Sequence, residues 1–138
     1  MNNKTAQIDP KALRQALGAY TTGVTIITTR SSTGEPVGIT ANSFSSVSLD
    51  PPLVLWSLAR SAHSLPAFSE STHWNVHVLS MEQEDLSNRF ARAGENKFAG
   101  LELDDGMSDS PLLPQCSARF QCKKAFEYDG GDHIIFVV

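Results

Sequence analysis

Cysteine is scarce in this chain. Cys116 and Cys122 are the whole complement. They are not a C-x-x-C redox pair, and they have no partner cysteines for a zinc site. If both lie on one strand, six residues hold them about 20 Å apart, too far to bridge. Two small buried thiols in a reducing compartment are the expectation. Charge is thin as well, with 19% charged residues, a net charge of −4 and no basic stripe. Nucleic-acid binding needs clustered Lys and Arg to neutralise phosphates, so that class is excluded. No apolar run approaches membrane-spanning length, and Met1 to Gln7 hold no apolar signal core. A soluble, cytoplasmic protein without a membrane partner is expected. The chain also lacks a G-x-S-x-G elbow, a P-loop and a G-x-G-x-x-G fingerprint, and no protein nucleophile stands out. Long repeats and low-complexity tracts are absent.

What is present suits a single domain over residues 1–138, and 41% hydrophobic residues suffice for a proper core. Asp9-Pro10 opens a helix, with Asp9 as N-cap and an apolar face of Ala12, Leu13, Ala16 and Leu17. Gly18 can end it. Thr21-Thr22-Gly23 leads into Val24 to Thr29, which is β-branched throughout and reads as a strand. Ser31 to Glu35 is a hairpin-like turn. Ser64 to Glu70 reads as a short helix with Pro66 in its first turn. Thr72 to Leu79 alternates with period two. His73 and His77 share a face there, but about 13 Å of strand separates them, so no shared metal is expected. That face reads as solvated or subunit-facing. Ser80 to Gln83 is a capping box starting a helix that Gly94 stops. Residues 100–114 look like an acidic surface excursion with Glu102, Asp104, Asp105 and Asp109. Cys116 to Phe126 alternates again, Tyr128 to Asp132 is a glycine turn, and His133 to Val138 is the last strand. About five or six strands and three short helices, mostly in antiparallel sequence, suggest a small barrel.

The stretch from Gly38 to Arg60 organises the rest. Thr40 to Ser48 is crowded with hydroxyls. Asp50-Pro51-Pro52 forces a turn, because proline donates no N–H. Leu53 to Leu58 then reads as a strand buried on both faces. It delivers Arg60, Ser61 and Ser64 to the start of the short helix, where free N–H groups and a cation suit an anion. On local sequence alone, Arg60 reads equally well as a surface charge and Ser64 as a cap.

The pattern Gly38-x-Thr40-Ala41-Asn42-Ser43-Phe44-x-Ser46-Val47-Ser48-x-x-Pro51-Pro52-Leu53-Val54 resembles the signature of the flavin reductase-like family. Gly131-Asp132-His133-Ile134-Ile135-Phe136 resembles that family's late Gly-Asp-His strand. Phe90-Ala91 with Lys97-Phe98-Ala99-Gly100 is a looser third block, and the three occur in the family's order. The resemblance runs from about Leu13 to the last residue. It implies a mainly β fold with short helices, an FMN-binding split β-barrel. It implies NAD(P)H-dependent reduction of FMN or FAD, with reduced flavin passing to a partner monooxygenase. A flavin does the hydride chemistry, so the protein need only hold and orient it.

On this resemblance Thr40, Ala41, Asn42 and Ser43 line the flavin ring and ribityl chain. Ser45, Ser46, Arg60, Ser61 and Ser64 bind toward the phosphate, and Lys97 is a second phosphate or ribityl contact. His133 sits by the nicotinamide and positions it; the plainer reading of His133 is a strand-start histidine bonded to the Asp132 turn. A homodimer is the usual state of the family. The chain departs from the pattern by stopping at Val138, without the family's further strand and C-terminal arm. A flavin-binding protein without turnover, either a carrier or an inactive truncated relative, is the alternative.

Overall fold

The computed structural model describes residues 7–19, 23–92, 96–106 and 110–138. Thr21, Thr22, the helix stop expected at Gly94 and the carboxylate of Asp109 lie outside the described residues. In chain order the elements are α1 (Pro10–Gly18), β1 (Thr25–Arg30), β2 (Pro36–Ala41), β3 (Ser45–Leu49) and β4 (Pro52–Ala59). Then come α2 (Leu65–Glu70), β5 (His73–Val78), α3 (Glu84–Ala91), β6 (Asp104–Asp105) and β7 (Pro111–Leu112). β8 (Ala118–Lys123), β9 (Phe126–Gly130) and β10 (His133–Val137) complete the chain.

The long strands form two antiparallel four-stranded sheets, ordered β2-β1-β5-β8 and β3-β4-β10-β9. The sheets share no strand, so the barrel is split, as expected for a mainly β chain with short helices. They face each other across Ile27, Trp74 and Val76 from the first sheet and Trp56, Leu58 and Phe136 from the second. Phe68 of α2 closes one side of this core. The rings interlock: Trp56 lies 5.0 Å from Phe68 and 6.1 Å from Trp74, both edge-on, and Trp74 lies 4.9 Å from Phe136.

The other face of the first sheet is covered too, which corrects the expectation for β5. Asn75 and His77 are not on a solvated or subunit-facing side; they are 1% and 0% exposed. α3 and the segment after it lie over them, through Ile26, Phe90, Leu113 and Phe98. The excursion of residues 100–114 is accordingly a surface feature only in part. Ser110, Pro111, Leu112 and Leu113 are buried, because this face of the sheet needs an apolar cover. Polar groups on β1 and β5 satisfy the carbonyls and amides of that cover. Asn75 Nδ2 donates to the carbonyls of Ser110 and Pro111, each at 2.9 Å, and Thr28 Oγ1 donates to Pro111 O. His77 Nδ1 donates to Ile26 O at 2.9 Å, and its Nε2 accepts from the Leu113 N–H at 3.0 Å. These two bonds require the neutral imidazole with its proton on Nδ1. Burial pushes His77 down to about 4.

Three smaller readings also change. β4 is buried on one face only: Trp56 and Leu58 are inside, while Leu53, Leu55 and Ser57 are half-buried, because nothing among the described residues layers onto the outer face of the second sheet. Tyr128 to Gly130 belong to β9, and the turn narrows to Gly131-Asp132, with Gly131 at φ +80°. The apolar face of α1 is not packed inward, since Leu13 and Leu17 are 45% and 65% exposed. Asp9 caps this helix by accepting from Lys11 N at 3.2 Å. The Ser80–Gln83 capping box forms as read, entering α3 through a short 3₁₀ turn at Met81–Gln83. Cys116 and Cys122 are free thiols, and Cys116 lies ahead of β8 rather than on it.

Two outcomes are expected from this packing. Between pH 6.5 and about 4 the unfolded chain binds a proton at His77 that the folded chain refuses, so stability falls as pH drops through that window. The loss reaches on the order of 3 kcal/mol at its lower end. Urea unfolding of wild type and His77→Gln across that range checks it; equal pH slopes would refute it. Gly38→Ala places a Cβ at 2.5 Å from the Phe90 ring. It should lower stability by about 1–3 kcal/mol, read as a drop in Tm.

Candidate functional site

Three segments meet at one end of the second sheet. The 42–44 loop crosses from the first sheet into β3. The end of β4 runs into Arg60 to Ser64. The Gly131-Asp132 turn enters β10 at His133. The ladders set their alignment, with Ala59 opposite His133 and Leu55 opposite Ser45. Neighbouring strands lie about 4.8 Å apart, so the loop side and His133 are separated by about 10 Å across β4.

Ser43 anchors the loop. Its Oγ accepts from Ser57 N at 2.9 Å and donates to Ser57 O at 3.2 Å, so a side chain extends the β3–β4 pairing. Asn42 is exposed beside it, and Ala41 is half-buried against the core, its carbonyl accepting from Thr25 Oγ1 at 2.7 Å. Ser45 and Ser46 are exposed on β3, where Ser45 Oγ donates to Ser46 O at 3.4 Å. Ser61 is exposed. Ser64 precedes α2 but makes no capping bond, and its Oγ is buried without a protein partner. Buried hydroxyls nearly always find a partner, so Ser64 Oγ is a donor in want of an acceptor. Such a donor, with the hydroxyl of Ser61 three residues before it, fits an acceptor-rich group such as a flavin phosphate.

Arg60 is engaged within the protein. Its main-chain N donates to Asp132 O at 2.9 Å and its Nε to Gly131 O at 2.8 Å. A terminal guanidinium nitrogen pairs with Asp129 Oδ1, which also accepts from Gly131 N at 3.2 Å. The Arg60 bond holds the Asp129 carboxyl below the usual carboxylate range. His133 Nδ1 donates to Asp132 Oδ1 at 2.7 Å, and this bond lowers Asp132 in turn. The plainer local reading of His133 is therefore part of its geometry.

Two of the expected residues turn elsewhere. Thr40 Oγ1 donates to Ser87 O at 2.6 Å, toward α3. Lys97 Nζ donates to Gly38 O at 3.2 Å and Phe90 O at 3.0 Å, tying the post-α3 segment to β2, and burial lowers its pKa. Asp129 and Ser57 were not among the expected residues. Asp129 lies 69 positions from Arg60, so no local pattern could pair them. A cavity of about 290 Å³ lies at the opposite end of the first sheet, between Arg30, Glu70, His73 and Ser110; no expected site residue lines it. Among the described residues no three His, Cys, Asp or Glu side chains gather as a metal set, and no helix is long and apolar enough to cross a membrane.

The family profile described as Flavin reductase like domain matches residues 17–138. The chain is 51% identical over 127 residues to FMN reductase (NADH) SmoA of Agrobacterium fabrum, covering 92% of this chain and 72% of that protein. It is 41% identical over 134 residues to the stachydrine N-demethylase reductase subunit Stc3 of Rhizobium meliloti, covering 97% of this chain and 58% of that one. It spans less than half the length of two further relatives, 43% and 41%. Among solved structures it superposes with a TM-score of 0.87 on the NADH:FAD oxidoreductase SgcE6 of Streptomyces globisporus in complex with NAD and FAD fragments. That match is at 37% identity and covers 96% of this chain and 82% of the other. The chain belongs to the flavin reductase-like domain family.

Proposed function

We propose that this chain reduces a flavin, FMN or FAD, with NADH and passes the reduced flavin to a partner monooxygenase. The observation that carries the reading is the meeting of the 42–44 loop, the Arg60–Ser64 segment and His133 at one open end of the second sheet. Similarity to proteins named FMN reductase (NADH) and reductase subunit supports it. When bound, the flavin supplies the hydride acceptor and the dinucleotide the hydride.

The residues of this chain bind and orient. Backbone groups of Thr40 to Ser43 line the ring edge and ribityl chain, and N–H donors there favour the charge that reduction places on the ring. Ser61 and Ser64 donate toward the phosphate, and Ser45 and Ser46 offer hydroxyls from β3. His133 orients the nicotinamide. A reducing cytoplasm suits the two free thiols. Two copies associate, and the outer face of the second sheet offers an apolar surface, where the stacked rings of Phe126 and Tyr128 are 51% and 53% exposed.

NADH oxidation by the purified chain should rise with added FMN. Ser64→Ala should weaken FMN binding by about fivefold to tenfold, the loss of one hydrogen bond, measured by quenching of flavin fluorescence. His133→Ala should raise the KM for NADH while FMN still binds. Binding of FMN without NADH oxidation would identify a flavin holder; absence of binding would sink the reading. Light scattering should report a dimer.

A further inference from the structure

The Gly131-Asp132 turn is a weakly supported place to carry a functional side chain. β9 is an edge strand, exposed along its whole length, and among the described residues it pairs only with β10. Such hairpin ends fray readily. Arg60 supplies the missing support from the other side. It reaches the turn twice, through its own N–H to Asp132 O and through Nε to Gly131 O, and its outer arm pairs with Asp129 on β9. Asp129 closes the ring by accepting from Gly131 N. An exposed ion pair adds little to stability. What this fork does add is a fixed orientation for the turn, since its donors are rigid relative to one another.

The next link in that chain is Asp132. Its carboxylate can only accept, so the 2.7 Å contact puts the proton of neutral His133 on Nδ1. Nε2 then carries a lone pair and makes no hydrogen bond within the described residues. The His133 side chain is 45% exposed, which leaves that nitrogen open to a ligand. The charged groups around it are Asp132 on the turn, Asp129 on β9 and Arg60 beyond β4. Its ladder partners Ala59 and Gly130 carry none.

We propose that Arg60 and Asp132 are positioning residues for His133. Arg60 clamps the turn, and Asp132 fixes the tautomer whose Nε2 accepts an N–H of the nicotinamide carboxamide. The ligand contact rests on the reductase reading above; the clamp and the tautomer do not. The proposal gives Arg60 a task different from holding a flavin phosphate.

Arg60→Ala, Arg60→Lys and Asp132→Ala in the full chain test it. Each should raise the KM for NADH by about tenfold and change the Kd for FMN by less than about twofold, as expected for one lost contact to the dinucleotide alone. Arg60→Lys should not rescue, because an ammonium cannot span Gly131 O and Asp129 as a fork does. Tm should move little in all three. Long-range proton–nitrogen NMR of the His133 ring, assigned with His133→Ala, should find the wild-type proton on Nδ1 and lose that preference in the variants. A wild-type proton on Nε2 would overturn the proposal. So would an Arg60→Ala protein with weakened FMN binding, unchanged KM for NADH and rescue by lysine, which is the pattern of a phosphate ligand. If the wild type oxidises no NADH, the reductase reading fails, while the ring spectrum still decides whether Arg60 and Asp132 position His133.

Discussion

Everything at the open end of the second sheet depends on how the two sheets are seated on each other. Trp56, Trp74, Phe68 and Phe136 do the seating, in one cluster of fully buried rings. Edge-on and tilted contacts of this kind resist sliding, because each ring fills a slot between two others. The loop of residues 42–44 crosses between the sheets at their rim. Within the second sheet, Ser43 of this loop meets the backbone of Ser57. The 42–44 loop thus joins two sheets that an aromatic core holds together.

The first sheet has a second dependency. Its rear face would expose Ile26 and the carbonyl of Ile26 to solvent, were it not for α3 and the segment through Leu113. His77 joins strand to cover by a bond from each ring nitrogen, which only the neutral ring can make. Asn75 and Thr28 do the same for Ser110 and Pro111. Polar side chains thus act as apolar-layer fasteners here: each satisfies a backbone group that the cover brings inside. Lys97 belongs to this set, with its ammonium on the carbonyls of Gly38 and Phe90. Gly38 lets Phe90 approach β2 closely.

At the site itself the division of labour is between groups that are open and groups already engaged. Ser61 is exposed, and the buried Ser64 Oγ has no protein partner. Ser43, Arg60 and Asp132 are engaged with the backbone or with each other. Engagement is not idleness. A ligand-facing group on an exposed turn needs its direction set by something rigid, and the guanidinium fork is the most rigid donor set a side chain offers.

By itself the sequence determined several strands, some of the turns and the motif block. Alternation, proline pairs and glycines act over a few residues, so they are legible locally. β1 with its hairpin turn, the capping box before α3, the Asp50-Pro51-Pro52 break and the Gly-Asp-His strand were all readable that way. What only the tertiary structure decided was which face of each strand is covered and which polar group meets which. The period-two pattern of β5 says that His77 and Asn75 share a face; it cannot say that Leu113, 36 residues on, will cover it. Arg60 read as an anion ligand because its neighbours are hydroxyls and a helix start. Its actual partners, Asp129, Gly131 and Asp132, arrive from the far end of the chain when β10 pairs with β4, and pairing across such a distance leaves no trace in local sequence.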